Sequence, residues 1–192
     1  MRTLLLAAAF LTPCALQAQT PAAVPAHIPS ELEQALSGNW TGVLEYRDYS
    51  EPATSTKRVQ LPTWLSITPA GSSQTWHYLY DDGPNKLVEE TDTISFDPST
   101  STYTESENSK PPHTYRVTGY PDLRAGRGQL VLAGNGTDNA KPAETRITLT
   151  IRRNLLTVLE ETRPAGSSDP FAFRHSFCFT RATPPPTPPS AK

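Results

Sequence analysis

Between Asn39 and Arg181 apolar and polar residues alternate in short runs, and a period of two demands strands with one buried and one wet face. The last run shows it most fully. Phe171, Phe173, His175, Phe177 and Phe179 fall on one side of an ideal strand, and Ala172, Arg174, Ser176, Cys178 and Thr180 on the other. Ile147, Leu149 and Ile151 alternate likewise with Arg146, Thr148, Thr150 and Arg152, and Trp40, Gly42, Leu44 and Tyr46 with Thr41, Val43, Glu45 and Arg47. The pattern predicts strands near Asn39–Asp48, Val59–Thr68, Gln74–Tyr80, Leu87–Phe96, Ser101–Glu107, Thr114–Gly119, Gln129–Ala133, Thr145–Arg152, Leu155–Thr162 and Phe171–Arg181. Merging or discarding the two runs within Ser101–Gly119 would reduce the count to eight.

Short polar joins separate these runs, and none is long enough for a crossover helix, so neighbours pair antiparallel. Asp81-Asp82-Gly83-Pro84-Asn85 and Asp97-Pro98-Ser99-Thr100 are loop-forming, and Arg153-Asn154 reads as a tight hairpin turn with Asn154 taking positive φ. So many half-buried strands cannot remain an open sheet with bare edges. The expectation is an all-β fold, an antiparallel up-and-down barrel of eight to ten strands with a short N-terminal helix. That helix starts at the capping box Ser30-Glu31-Leu32-Glu33, buries Leu32 and Leu36, and stops at Gly38.

The two ends differ from the middle. Met1-Arg2-Thr3, the apolar run Leu4–Leu16 and Gln17-Ala18-Gln19 have the order of a secretory signal, so residues 1–18 read as a signal peptide and the protein as exported, periplasmic or extracellular. Pro13 directly before Cys14 argues against a lipoprotein anchor, and the apolar run is too short to span a bilayer. Residues 19–29 form an Ala/Pro-rich linker, residues 30–181 the barrel domain, and residues 182–192 a Pro-rich tail of extended polyproline type. Signal removal would leave Cys178 alone, so no internal disulfide supports the core, and a lone cysteine among phenylalanines is expected to be a small buried hydrophobe.

The helix followed by Gly38-Asn39-Trp40 resembles the calycin superfamily, lipocalin-like domains in particular. Those families place a Gly-x-Trp at the start of the first strand, where the indole closes the barrel base against an arginine from near the last strand. The resemblance implies that role for Trp40 and Arg181. The Thr-Asp-Tyr type motif and inter-strand disulfide of lipocalins are missing. Gly38-x-Trp40-x-Gly42 also begins like the first strand of haem-binding nitrobindin-like barrels, whose pattern continues with further glycines where this chain has Leu44 and Tyr46.

Much chemistry is excluded. Lys and Arg number 17 against 19 Asp and Glu, a net charge of -2 without the basic face that nucleic acid requires. A Gly-x-Ser-x-Gly elbow is absent, and His27, His77, His113 and His175 lack ligand spacing, so no metal and no cofactor is expected. Of Glu89-Glu90, one carboxylate should be solvated and the other on the rim. Interior candidates remain: Tyr46, Phe173, His175 and Phe177, together with Trp76 and Tyr78 on a face shared with Tyr80 whose direction is left open by His77 and Leu79 opposite. Aromatics with a few hydroxyls and an imidazole suit a flat or long apolar ligand carrying one polar group.

The reading is an exported, non-enzymatic barrel protein that binds a small hydrophobic ligand inside. Two alternatives stand beside it. One is a filled barrel whose loops Tyr49–Lys57, Asn108–His113 and Gly134–Pro142 recognise a protein or envelope component. The other is a calycin-type isomerase or hydrolase with His175 as general base and Tyr46 as hydroxyl donor.

Overall fold

A computed structural model describes residues 30–52, 55–97, 100–107, 110–119 and 127–182; the signal segment, the linker and the tail beyond Ala182 lie outside them, as do the side chains of Ser30, Glu31 and Leu32, and with them the expected burial of Leu32. Helix α1 (Ser30–Leu36) precedes ten strands: β1 (Gly38–Arg47), β2 (Arg58–Ala70), β3 (Ser73–Asp81), β4 (Leu87–Asp97), β5 (Thr102–Glu107), β6 (His113–Gly119), β7 (Arg127–Asp138), β8 (Lys141–Arg152), β9 (Leu155–Pro164) and β10 (Ala172–Arg181). Each strand pairs antiparallel with its chain neighbours, and β1 pairs with β10 from Trp40↔Arg181 to Tyr46↔His175, which closes the barrel. Closure satisfies the edge hydrogen bonds that ten alternating strands would otherwise leave open.

Inward positions follow the alternation. Leu65 and Ile67 of β2, Leu130 and Leu132 of β7, Ile147, Leu149 and Ile151 of β8, and Leu156 of β9 are buried around one axis. In β3 it is Trp76, Tyr78 and Tyr80 that point in, while His77 and Leu79 are only half-buried. That settles the direction left open by the sequence.

Three local expectations are corrected. Gly134–Pro142 is not a recognition loop: β7 and β8 run on as a paired ladder to Asp138↔Lys141, joined by Asn139-Ala140 with φ of 48° and 61°. Two consecutive positive φ values are what a two-residue hairpin needs, and the extra pairing outweighs the polarity that suggested a loop. In the β8–β9 turn the positive φ (49°) belongs to Arg153, not Asn154. Cys178 is exposed on the outer face of β10 rather than buried, because its phase is opposite to that of Phe177 and Phe179.

At the base end α1 packs against Trp40 and Arg181. Trp40 is 1% exposed, and its Nε1 donates to the Leu36 carbonyl at 2.8 Å. Arg181 sends Nη1 to the Ser37 carbonyl at 2.7 Å and Nη2 to the Ala35 carbonyl at 2.6 Å, with its Cζ 4.2 Å from the Trp40 ring centroid. The carbonyls at the end of α1 have no partners within the helix, and these two side chains supply them. Gly42 explains the rest of the Gly-x-Trp-x-Gly run: a Cβ built there would lie 2.0 Å from the Cys178 carbonyl oxygen, so only glycine lets β1 and β10 close.

Candidate functional site

The opposite end of the barrel is open. The joins after β1, β3 and β7 bring Tyr49, Asp82 and Asn139 to its mouth, and below it lies a cavity of about 670 Å³. A narrower pocket of about 60 Å³ continues toward Trp76, Ile94, Ile147 and Leu149, where the packed base begins. Tyr78 and Tyr80 stand two residues apart on β3, so alternation stacks their rings, with centroids 5.8 Å apart and planes at 5°. Phe177 of β10 faces both, at 5.4 Å from Tyr78 and 6.4 Å from Tyr80. Leu44, Tyr46 and Leu61 complete the apolar wall on the β1–β2 side.

A β-bulge decides what β10 contributes. The register with β9 runs Phe173↔Glu161 and then His175↔Glu160, so Arg174 is an inserted residue. One extra residue reverses the strand's phase. Before it, Phe171 lies outside, its ring between the guanidinium groups of Arg146 (4.5 Å) and Arg163 (4.6 Å), and Phe173 lies under Arg58 at 4.6 Å. After it, His175, Phe177 and Phe179 point in. Phe173 therefore does not share the face of His175 and does not line the cavity, which corrects the sequence expectation. The other five expected residues converge on this axis: Tyr46, Tyr78, His175 and Phe177 line the main cavity, and Trp76 lines its floor.

The polar lining is mostly acidic. Glu90 and Asp92 project from β4, Glu105 from β5 and Glu160 from β9. Arg174 Nη1 donates to Glu160 Oε1 at 2.5 Å, and His175 Nε2 lies 3.4 Å from Glu160 Oε2. Burial holds the His175 imidazole below its ordinary pKa, with Glu160 opposing the shift and Arg174 reinforcing it. The Tyr80 hydroxyl donates to Glu90 Oε2 at 2.9 Å. Asp92 is 4% exposed, and its Oδ1 has no hydrogen-bond partner among the described residues. Burial first, then Glu90 and Glu107, push the Asp92 carboxyl up to about 7. Burial and then Asp92, Glu160 and Glu90 do the same for Glu105, also to about 7.

At the rim the β1–β2 join is tied across the mouth. Tyr49 donates its hydroxyl to Asp138 Oδ1 at 2.8 Å, Arg47 Nη2 reaches Asp138 Oδ2 at 3.3 Å, and Thr162 Oγ1 donates to the same oxygen at 3.0 Å. Arg47 also covers the Tyr49 ring at 4.4 Å. Of the Glu89-Glu90 pair, Glu89 is exposed and Glu90 turns inward, as alternation requires.

Sequence reasoning passed over Asp92, Glu105, Glu160 and Arg174. A signal for the carboxylates was present: Asp92 is in phase with Ile94, Glu105 with Tyr103, and Glu160 with Leu156 and Val158. No such signal marks Arg174, because the bulge that turns it inward is a property of strand pairing.

No protein-family model matches the chain, and no curated protein matches it. Among solved structures it is similar to Rv2717c from M. tuberculosis, with 14% identity and a TM-score of 0.52 over 82% of this chain and 99% of that one. At that identity the likeness is one of fold.

Proposed function

We propose that the protein is exported and holds a small ring-bearing molecule in the mouth of its barrel, without transforming it. The observation that carries this reading is the cavity of about 670 Å³ above a packed base. That volume suits a ligand of a few rings, and stacked Tyr78 and Tyr80 with Phe177 offer flat apolar contact while carboxylates, Arg174 and His175 orient a polar group. The open volume disfavours the filled-barrel alternative. Export rests on residues 1–18, whose removal would appear as a mature mass beginning near Gln19.

A haem does not fit this lining. His175 is the one imidazole among the lining residues, its Nε2 faces Glu160, and the surrounding carboxylates would repel propionates.

The test is binding of a neutral environment-sensitive apolar dye, followed by fluorescence. Phe177→Ala removes the ring facing Tyr78 and Tyr80 and should weaken the dye about tenfold or more, whereas Phe173→Ala, outside the barrel, should leave its affinity within about twofold. Equal effects of the two substitutions, or no saturable binding to the wild type, would refute the reading.

A further inference from the structure

We infer that the polar group this cavity selects is a cation, an ammonium or amidinium carried on an aromatic or alicyclic ring, seated between Asp92 and Glu105 with its ring against Tyr78, Tyr80 and Phe177. This rests on the ligand-binding reading above and names the ligand's class.

Five carboxylates line the cavity (Asp82, Glu90, Asp92, Glu105 and Glu160) against Arg174 and His175. Lys86 pairs with Asp82 at the rim, and Arg174 is taken by Glu160. Glu107, next to Asp92, is matched by Lys110. Glu90, Asp92 and Glu105 are left, and among the described residues none of the three has a basic side chain in an ion pair.

A buried carboxylate oxygen without a donor costs free energy that native structures rarely leave uncompensated. Asp92 Oδ1 is in that position, while the nearby Tyr80 hydroxyl is already spent on Glu90. An ammonium supplies the missing donors and the missing charge together. A cation beside the faces of Tyr78, Tyr80 and Phe177 also gains from their ring quadrupoles, and the ligand's own ring stacks there. A fatty acid or other carboxylate would bring a further negative charge to an already acidic wall.

A bare divalent cation is the rival occupant, since donor oxygens of Glu90, Asp92 and Glu107 lie within 4.8 Å of one another. An ion would leave nearly all of the cavity and its stacked aromatics unused, so the organic cation is favoured.

The groups that face the acidic pair make the binding pH-dependent. Asp92 meets Glu90 on its own strand, Glu107 and Lys110 from β5 and the join after it, and the Tyr78 and Tyr80 hydroxyls from β3. Glu105 meets Asp92, Glu90 and Glu107, Glu160 of β9, and the hydroxyls of Tyr103 and Tyr115. Arg174 and His175 reach the cluster through Glu160. Both carboxyls are part-protonated near neutrality, so a cation should bind more tightly as they ionise.

Calorimetric titration of the protein with three probes of one shape tests this: 2-(1-naphthyl)ethylamine, 2-(1-naphthyl)ethanol and 1-naphthylacetic acid. At about pH 8 the amine should bind about tenfold or more tightly than the alcohol, the acid should be weakest, and the amine's advantage should shrink toward about pH 6. Asp92→Asn should bring the amine to the alcohol's affinity without weakening the alcohol, and Glu105→Gln should act the same way if Asp92→Asn fails to fold. Alcohol or acid binding as tightly as the amine, or an amine preference that survives both substitutions, would overturn the cation assignment and leave the cavity reading intact. Saturable Ca²⁺ binding, lost in Asp92→Asn and not displaced by the amine, would overturn it in favour of a metal. If none of the three probes binds at about 1 mM, the cavity reading itself fails.

Discussion

Replacing Asp92 by Asn should make this protein more stable at alkaline pH and flatten the dependence of its stability on pH. Asp92 is 4% exposed and its carboxyl is pushed from 3.8 up to about 7. Burial is the main cause, with Glu90 and Glu107 adding repulsion. Between those two values the folded state holds a proton that the unfolded chain has released. A raised folded pKa therefore leaves stability untouched below about 4 and erodes it as pH climbs through about 7. A difference of about three pKa units at 1.36 kcal/mol each sets a ceiling of about 4 kcal/mol on that erosion. The amide introduced by D92N cannot ionise, is nearly the same size, and can donate to the carboxylates of Glu90 and Glu107, so it escapes the penalty. Glu105, raised to about 7 beside it, remains in the variant and preserves part of the slope. Urea unfolding followed by tryptophan fluorescence at steps from about pH 5 to about pH 8.5 measures the effect. The part of that span inside the assayed range, about two units from about pH 5 to about 7, is worth about 2.7 kcal/mol, so D92N should gain about 2–3 kcal/mol on the wild type between the acid and the alkaline end. Curves that stay parallel within about 0.5 kcal/mol over the whole range would refute the argument that Asp92 is a buried ionisable group.

Two further outcomes test the architecture. Gly42→Ala forces a methyl against the Cys178 carbonyl across the β1–β10 seam and should cost about 3 kcal/mol or more in denaturant unfolding, a price in the range of removing the Trp40 ring itself; a loss under about 0.5 kcal/mol would mean that the seam is not so tight. Cys178 faces solvent, so in a Cys14→Ser chain one equivalent of a thiol-specific reagent should react without denaturant, whereas protection until unfolding would contradict its outward phase.

The alternation of side chains was enough to predict the antiparallel order and the barrel, because a period of two with no crossover helices leaves few other ways to bury one face of every strand, while the count stayed at eight to ten until β5 and β6 proved separate. It also singled out Tyr46, Tyr78, His175, Phe177 and Trp76, which share an axis simply by being in phase with buried neighbours. The pairing of Trp40 with Arg181 was implied by a three-residue resemblance, and the structure brings the two side chains into contact.

What alternation along one strand could not show is how strands meet. Phe171 and Phe173 read as interior partners of His175 until the pairing with β9 revealed an inserted Arg174, and a single extra residue turns the phase over. The direction of Trp76, Tyr78 and Tyr80 depended on which side of β3 the closed sheet enclosed. The acidic character of the cavity was hidden for a related reason. Asp92 of β4, Glu105 of β5 and Glu160 of β9 are each in phase with apolar neighbours on their own strand, but only closure of the sheet brings them and Glu90 to one small volume. Electrostatics there depends on distances between side chains far apart in the chain, and those distances belong to the fold.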